Sequence, residues 1–83
     1  MTNKQRREAY KIAQEIISQG GNGLCYALGH SGFEDSYYSM LSCPEAKLFK
    51  PKRYGWYWLP IEDIQTRLII LDFCILMTKT KQP

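Results

Sequence analysis

The residues best able to do chemistry are Cys25 and His30, since a thiol beside an imidazole makes a nucleophile and His30 is the one histidine in the chain. Five positions apart across Gly29, their side chains can meet. Nothing in the sequence supplies a third orienting group or an oxyanion hole, so the pair reads as a packed cysteine and a loop histidine. The string Gly29-His30-Ser31-Gly32 begins like a nucleophile elbow, but Phe33 stands where the pattern needs glycine and no strand leads into it. Cys25, Cys43 and Cys74 with His30 add up to four zinc ligands, yet no C-x-x-C pair is present and Cys74 lies in an apolar run. Glu34-Asp35 and Glu62-Asp63 are adjacent acids that point apart on a helix, and both pairs sit where helices are expected to begin. Helix capping therefore explains them better than acid-base catalysis. Gly20-Gly21-Asn22-Gly23 lacks the lysine and the preceding strand of a phosphate loop. The expectation is no enzyme, no metal and no cofactor.

One segment has residue types that core-building does not explain. Between Lys47 and Trp58 lie Lys47, Lys50, Lys52 and Arg53, interleaved with Phe49, Tyr54, Trp56, Tyr57 and Trp58. Cations beside aromatic faces recognise nucleotides, single strands or acidic protein surfaces. The plainer reading is a loop pinned to the core by its tryptophans, with solvated lysines around it. We take Lys47, Lys50, Lys52, Arg53, Tyr54, Trp56 and Trp58 as the candidate ligand or partner site. Charge supports this choice. The whole chain carries +3, and residues 44–58 carry +3 by themselves; residues 1–20 carry +2, residues 21–43 carry −2 and the remainder balances.

The elements that must hold this segment follow from periodicity. Ala9, Ile12, Ala13, Ile16 and Ile17 form one stripe of a helix over 3–19, with Thr2 and Gln5 spaced as a capping box and Gly20-Gly21 as its stop. A short helix is expected after Asn22, and another over 33–42 with Phe33, Tyr37, Met40 and Leu41 on its inner face. Pro44 to Phe49 reads as one more helical turn, and Lys50 to Leu59 as an irregular loop punctuated by Pro51, Gly55 and Pro60. The last helix, over 61–78, has a seam of Ile61, Ile64, Leu68, Leu71 and Ile75. A second group, Ile69, Phe73 and Leu76, lies away from that seam, and Ile70 and Met77 lie roughly opposite it. A helix apolar on so many sides either threads the middle of the domain or meets another chain. We expect a homo-oligomer with Ile69, Phe73 and Leu76 at its interface.

Together these elements predict an all-α fold: one helical domain over 1–83, with two longer helices framing short ones and no sheet of three or more strands. With 83 residues, 45% of them apolar and 23% charged, the chain suits one small core. The longest apolar run, Leu68 to Met77, is broken by Asp72 and is too short to span a bilayer. The polar N-terminus does not read as a signal peptide, and three cysteines at unrelated spacings fit free thiols in a reducing cytoplasm.

Pro44-Glu45, Lys50-Pro51, Trp56-Tyr57-Trp58, Arg67-Leu68 and Leu71-Asp72 leading to Ile75, preceded by Gly23-Leu24-Cys25-Tyr26-Ala27-Leu28, resemble a diffuse group of short bacteriophage-encoded proteins. The resemblance covers about residues 20–78. It implies a phage accessory protein in the bacterial host cytoplasm that acts on a host or defence factor by binding, and it carries no site residues with it. The functional expectation is a small binding protein that masks a host protein or sequesters a nucleotide-like signal. The alternative is a nucleic-acid-binding accessory protein using residues 47–58.

Overall fold

The computed structural model describes residues 2–20, 32–52 and 55–80, the side chains at 51–56 and at 80 excepted. Among these residues the chain runs α1 (Asn3–Ser18), α2 (Phe33–Ser42), β1 (Phe49–Lys52), β2 (Gly55–Trp58) and α3 (Ile64–Thr80). The fold is a small helical domain whose two longer helices pack together, as expected. The short helix expected after Asn22 lies outside the described residues, as do Cys25 and His30.

Helix α1 begins at the expected capping box. The Gln5 N–H donates to Thr2 Oγ1 at 3.2 Å, and the Thr2 N–H donates to Gln5 Oε1 at 2.9 Å. At its far end Gly20 takes φ +76°, a backbone region that penalises a Cβ. A Cβ there would meet nothing within 4 Å, so the glycine serves its dihedral and not a close approach. The expected stripe supplies buried Ala9, Ala13 and Ile16, with Ile12 and Ile17 half-buried beside them.

Helix α3 is central. It packs against both α1 and α2, burying Leu68, Ile70, Leu71 and Cys74, while Ile61, Ile64, Ile69, Phe73, Ile75 and Met77 pack around that core. Ile70, placed opposite the seam by sequence projection, is fully buried because helices cover more than one side. The helix starts at Ile64 and not at 61. Asp63 stops it from starting earlier by acting as its cap, accepting from the Gln65 N–H at 3.1 Å and the Thr66 hydroxyl at 2.8 Å. Those two bonds, the Thr66 hydroxyl first, hold the Asp63 carboxyl below its ordinary pKa.

Two expectations need correction. On α2 the buried residues are Phe33, Ser36 and Met40, whereas Leu41 is 52% exposed; Ser36 enters the core because its hydroxyl donates to the Gly32 carbonyl at 3.1 Å. After α2 the chain does not form another helical turn followed by an irregular loop. It turns at Pro44-Glu45 and then forms an antiparallel hairpin with Phe49 opposite Trp58, Lys50 opposite Tyr57, Pro51 opposite Trp56 and Lys52 opposite Gly55.

The reason lies far along the sequence. Arg67, 6% exposed, donates through its two terminal nitrogens to the carbonyl oxygens of Ala46 and Pro44, the latter at 2.7 Å. A helical turn would need those carbonyls for itself. The Leu59 N–H to Leu48 carbonyl bond at 2.9 Å extends the hairpin ladder, and both leucines are buried.

Candidate functional site

In a strand successive side chains alternate between faces, and the hairpin obeys this rule. Leu48, Lys50, Tyr57 and Leu59 turn toward the helices. Leu48 and Leu59 are buried, Tyr57 is half-buried, and the Lys50 ammonium forms an ion pair with Glu15 of α1. Lys50 Nζ also lies 5.5 Å from the Tyr57 ring centroid. Hydrogen bonds to Glu15 first and Tyr57 second hold the Lys50 pKa above the ordinary lysine value. Of the seven residues expected to form a recognition surface, Lys50 is therefore bound up in the fold.

The opposite face carries Phe49 and Trp58. Their rings are stacked with centroids 3.7 Å apart and planes 29° apart, and the Lys47 ammonium sits 6.0 Å from the Trp58 ring centroid. Trp58 is nevertheless 47% exposed. The hairpin is anchored by Leu48 and Leu59, so Trp58 is not what pins it to the core. The structure thus brings together Lys47, Phe49 and Trp58 as a cation and an aromatic stack open to solvent. Tyr54 and Arg53, and the side chains of Lys52 and Trp56, lie outside what is described.

The expected oligomer residues divide. Ile69 and Phe73 are half-buried against the core, and the Phe73 ring meets Tyr10 of α1 edge-to-face, with centroids 5.3 Å apart at 83°. Leu76 alone of the three is well exposed, at 56%.

A second surface escaped the sequence reading. Asn3, Arg6, Arg7 and Tyr10 share one side of α1, and with Phe73 from α3 they line a cleft of about 510 Å3. The Arg6 guanidinium stands 5.4 Å from the Phe73 ring centroid. The i, i+3 and i, i+4 spacing of Asn3, Arg6, Arg7 and Tyr10 was visible in the sequence as a helix face. The ring that completes the cleft comes from more than sixty positions later, and no local pattern announces it.

Among the described residues no three His, Cys, Asp or Glu side chains gather, and no helix is long and apolar enough to cross a membrane. Cys74 is buried, which pushes its thiol up to about 12. Cys43 Sγ donates to Glu45 Oε1 at 3.2 Å, and that bond raises the Cys43 thiol above its ordinary value. Both thiols are thus held in the protonated form, which is the weak nucleophile. Comparison of the chain with protein-family models, with curated proteins and with solved structures yields no match.

Proposed function

We propose that this chain is a small binding protein, without catalysis, that masks a partner through the outer face of its hairpin. The observation that carries this reading is Trp58, stacked on Phe49, topped by a cation and left 47% exposed. Tryptophan beside a basic group is the residue combination that anchors interfaces. Rings already stacked on each other also need less ordering on binding, which lowers the entropic cost of association.

The resemblance to short phage-encoded proteins adds the setting: a bacterial host cytoplasm and a host or defence protein as the masked partner. The nucleic-acid alternative uses the same face but is weakened by Lys50, whose charge is matched by Glu15. Self-association belongs to the same proposal, with Leu76 as the exposed apolar residue of α3 that a second copy covers.

Affinity capture from bacterial lysate, with captured proteins and nucleic acids both identified, tests the proposal. A defined protein retained by the wild type and lost by a Lys47→Ala, Trp58→Ala variant of unchanged helix content supports it. Equal retention by both overturns the assignment of the face. A captured nucleic acid whose affinity falls steeply with salt establishes the alternative instead.

A further inference from the structure

We propose that the cleft between α1 and α3, lined by Arg6, Arg7, Tyr10 and Phe73, is a binding site for a nucleoside phosphate. The proposal stands apart from the hairpin reading, because no residue of the hairpin lines this cleft.

Three observations converge on that ligand. The first is unbalanced charge. Lys4, Arg6 and Arg7 are all exposed along the first half of α1, faced within that stretch by Glu8 alone. Neither Arg6 nor Arg7 has a carboxylate partner among the described residues. Both arginines line the cleft, and a guanidinium is a planar group of several donors that suits a phosphate.

The second is the direction of the helix. The N-terminal end of a helix is its positive end and favours acids. Helix α1 has no acid in its first turn and carries Lys4 there. A sequence that sets cations against the dipole breaks a local rule of stability, and such breaks are expected where a ligand supplies the missing charge. An anion on Arg6 and Arg7 supplies it.

The third is the ring wall. An anion site alone needs no aromatics, yet this cleft has two, and Tyr10 is 40% exposed. Its edge-to-face contact with Phe73 fixes the ring while leaving surface on which a base can stack. The Arg6 guanidinium, held over Phe73, is already positioned between ring wall and solvent. The depression, about 510 Å3 in volume, is wide open to solvent, so a ligand would lie across the two rings and not be enclosed by them. Phosphate on the two arginines and a base on Tyr10, whose ring Phe73 holds edge-to-face, use every side chain of the lining except Asn3, whose amide can serve either part.

The test is isothermal titration of the full chain with the four ribonucleoside triphosphates, with adenosine, and with inorganic tripolyphosphate as the phosphate-only probe. Saturable binding of at least one nucleotide, at least tenfold tighter than tripolyphosphate and than adenosine, is expected. Arg6→Gln with Arg7→Gln should weaken the nucleotide at least tenfold. Tyr10→Ala should weaken the nucleotide while leaving tripolyphosphate unchanged, which separates the ring wall from the charge. Trp58→Ala should change neither, so failure of this site and failure of the hairpin reading are separately visible. Circular dichroism of each variant confirms that the helices persist. No saturable nucleotide binding, equal affinity for nucleotide and tripolyphosphate, or wild-type affinity in the double arginine variant would each overturn the proposal.

Discussion

Lys50 of the hairpin and Glu15 of α1 form an ion pair across thirty-five positions of sequence, and that pair turns a cation of the most basic segment inward. The Lys50 side chain is largely enclosed, whereas Glu15 keeps about half its surface in water. The pair therefore fastens the hairpin to the helices, and the proposed recognition is left to Lys47, Phe49 and Trp58 on its other face.

Lys50→Met is expected to cost about 1 kcal/mol, the upper end for partly exposed pairs. Glu15→Gln should cost no more, and the two together should cost less than the sum of both. Chemical denaturation of the four proteins in a double-mutant cycle measures the coupling. Strict additivity would show that the pair contributes nothing.

Arg67→Met should be the more damaging change. It leaves the partly buried carbonyls of Pro44 and Ala46 without their donor and removes a buried side chain that bridges them, where a hydrogen bond to a charged group contributes about 1.5 to 3 kcal/mol. We expect a loss of about 2 to 4 kcal/mol and a hairpin that no longer holds its register. Urea unfolding gives the first quantity and amide hydrogen exchange of residues 49–58 the second. A variant of wild-type stability would mean that the turn at Pro44-Glu45 forms without this guanidinium.

Alkaline stability should depend on Cys74. Its thiol is raised from 9.0 to about 12 by burial, so above pH 9 the unfolded chain loses a proton that the folded chain keeps. Stability then falls as pH rises, by at most about 1.4 kcal/mol per pH unit from this one group. The raised pKa of Lys50 acts with the same sign, with stability present below its ordinary value of 10.5 and lost above it. The difference between wild type and Cys74→Ala isolates the thiol. Melting temperatures at pH 8 and pH 10.5 should fall less in the variant, and parallel falls would contradict the assignment.

Leu76→Glu tests self-association with little risk to the fold, because Leu76 is 56% exposed. Phe73→Glu would be ambiguous, since Phe73 supports Tyr10 and Arg6 within the same chain. Sedimentation at micromolar concentration should give an oligomer for the wild type and a monomer for Leu76→Glu. A monomeric wild type would remove self-association from the proposed function.

The helices were legible because their signals are local. Thr2 and Gln5 are three residues apart, the Ala9-Ala13-Ile16 stripe repeats every three or four, and Gly20 stops α1 by its own dihedral freedom. The acids Glu62-Asp63 also marked a helix start, with Asp63 as the cap. What sequence could not decide was which partner each group would choose. Pro44 to Phe49 had the composition of a helical turn, and only Arg67, placed twenty-one positions beyond Ala46 by packing of α3, took its carbonyls and left the chain extended. Pro51 and a connection without glycine or asparagine hid the hairpin, which long-range pairing imposes. Basic residues were countable from the start, but counting cannot tell Lys50, neutralised by a distant glutamate, from Arg6 and Arg7, which have no carboxylate partner among the described residues. Local pattern determines which backbone elements form; the assignment of charges and rings to core, pair or open surface needs distances between segments far apart in the chain, and tertiary structure alone sets those.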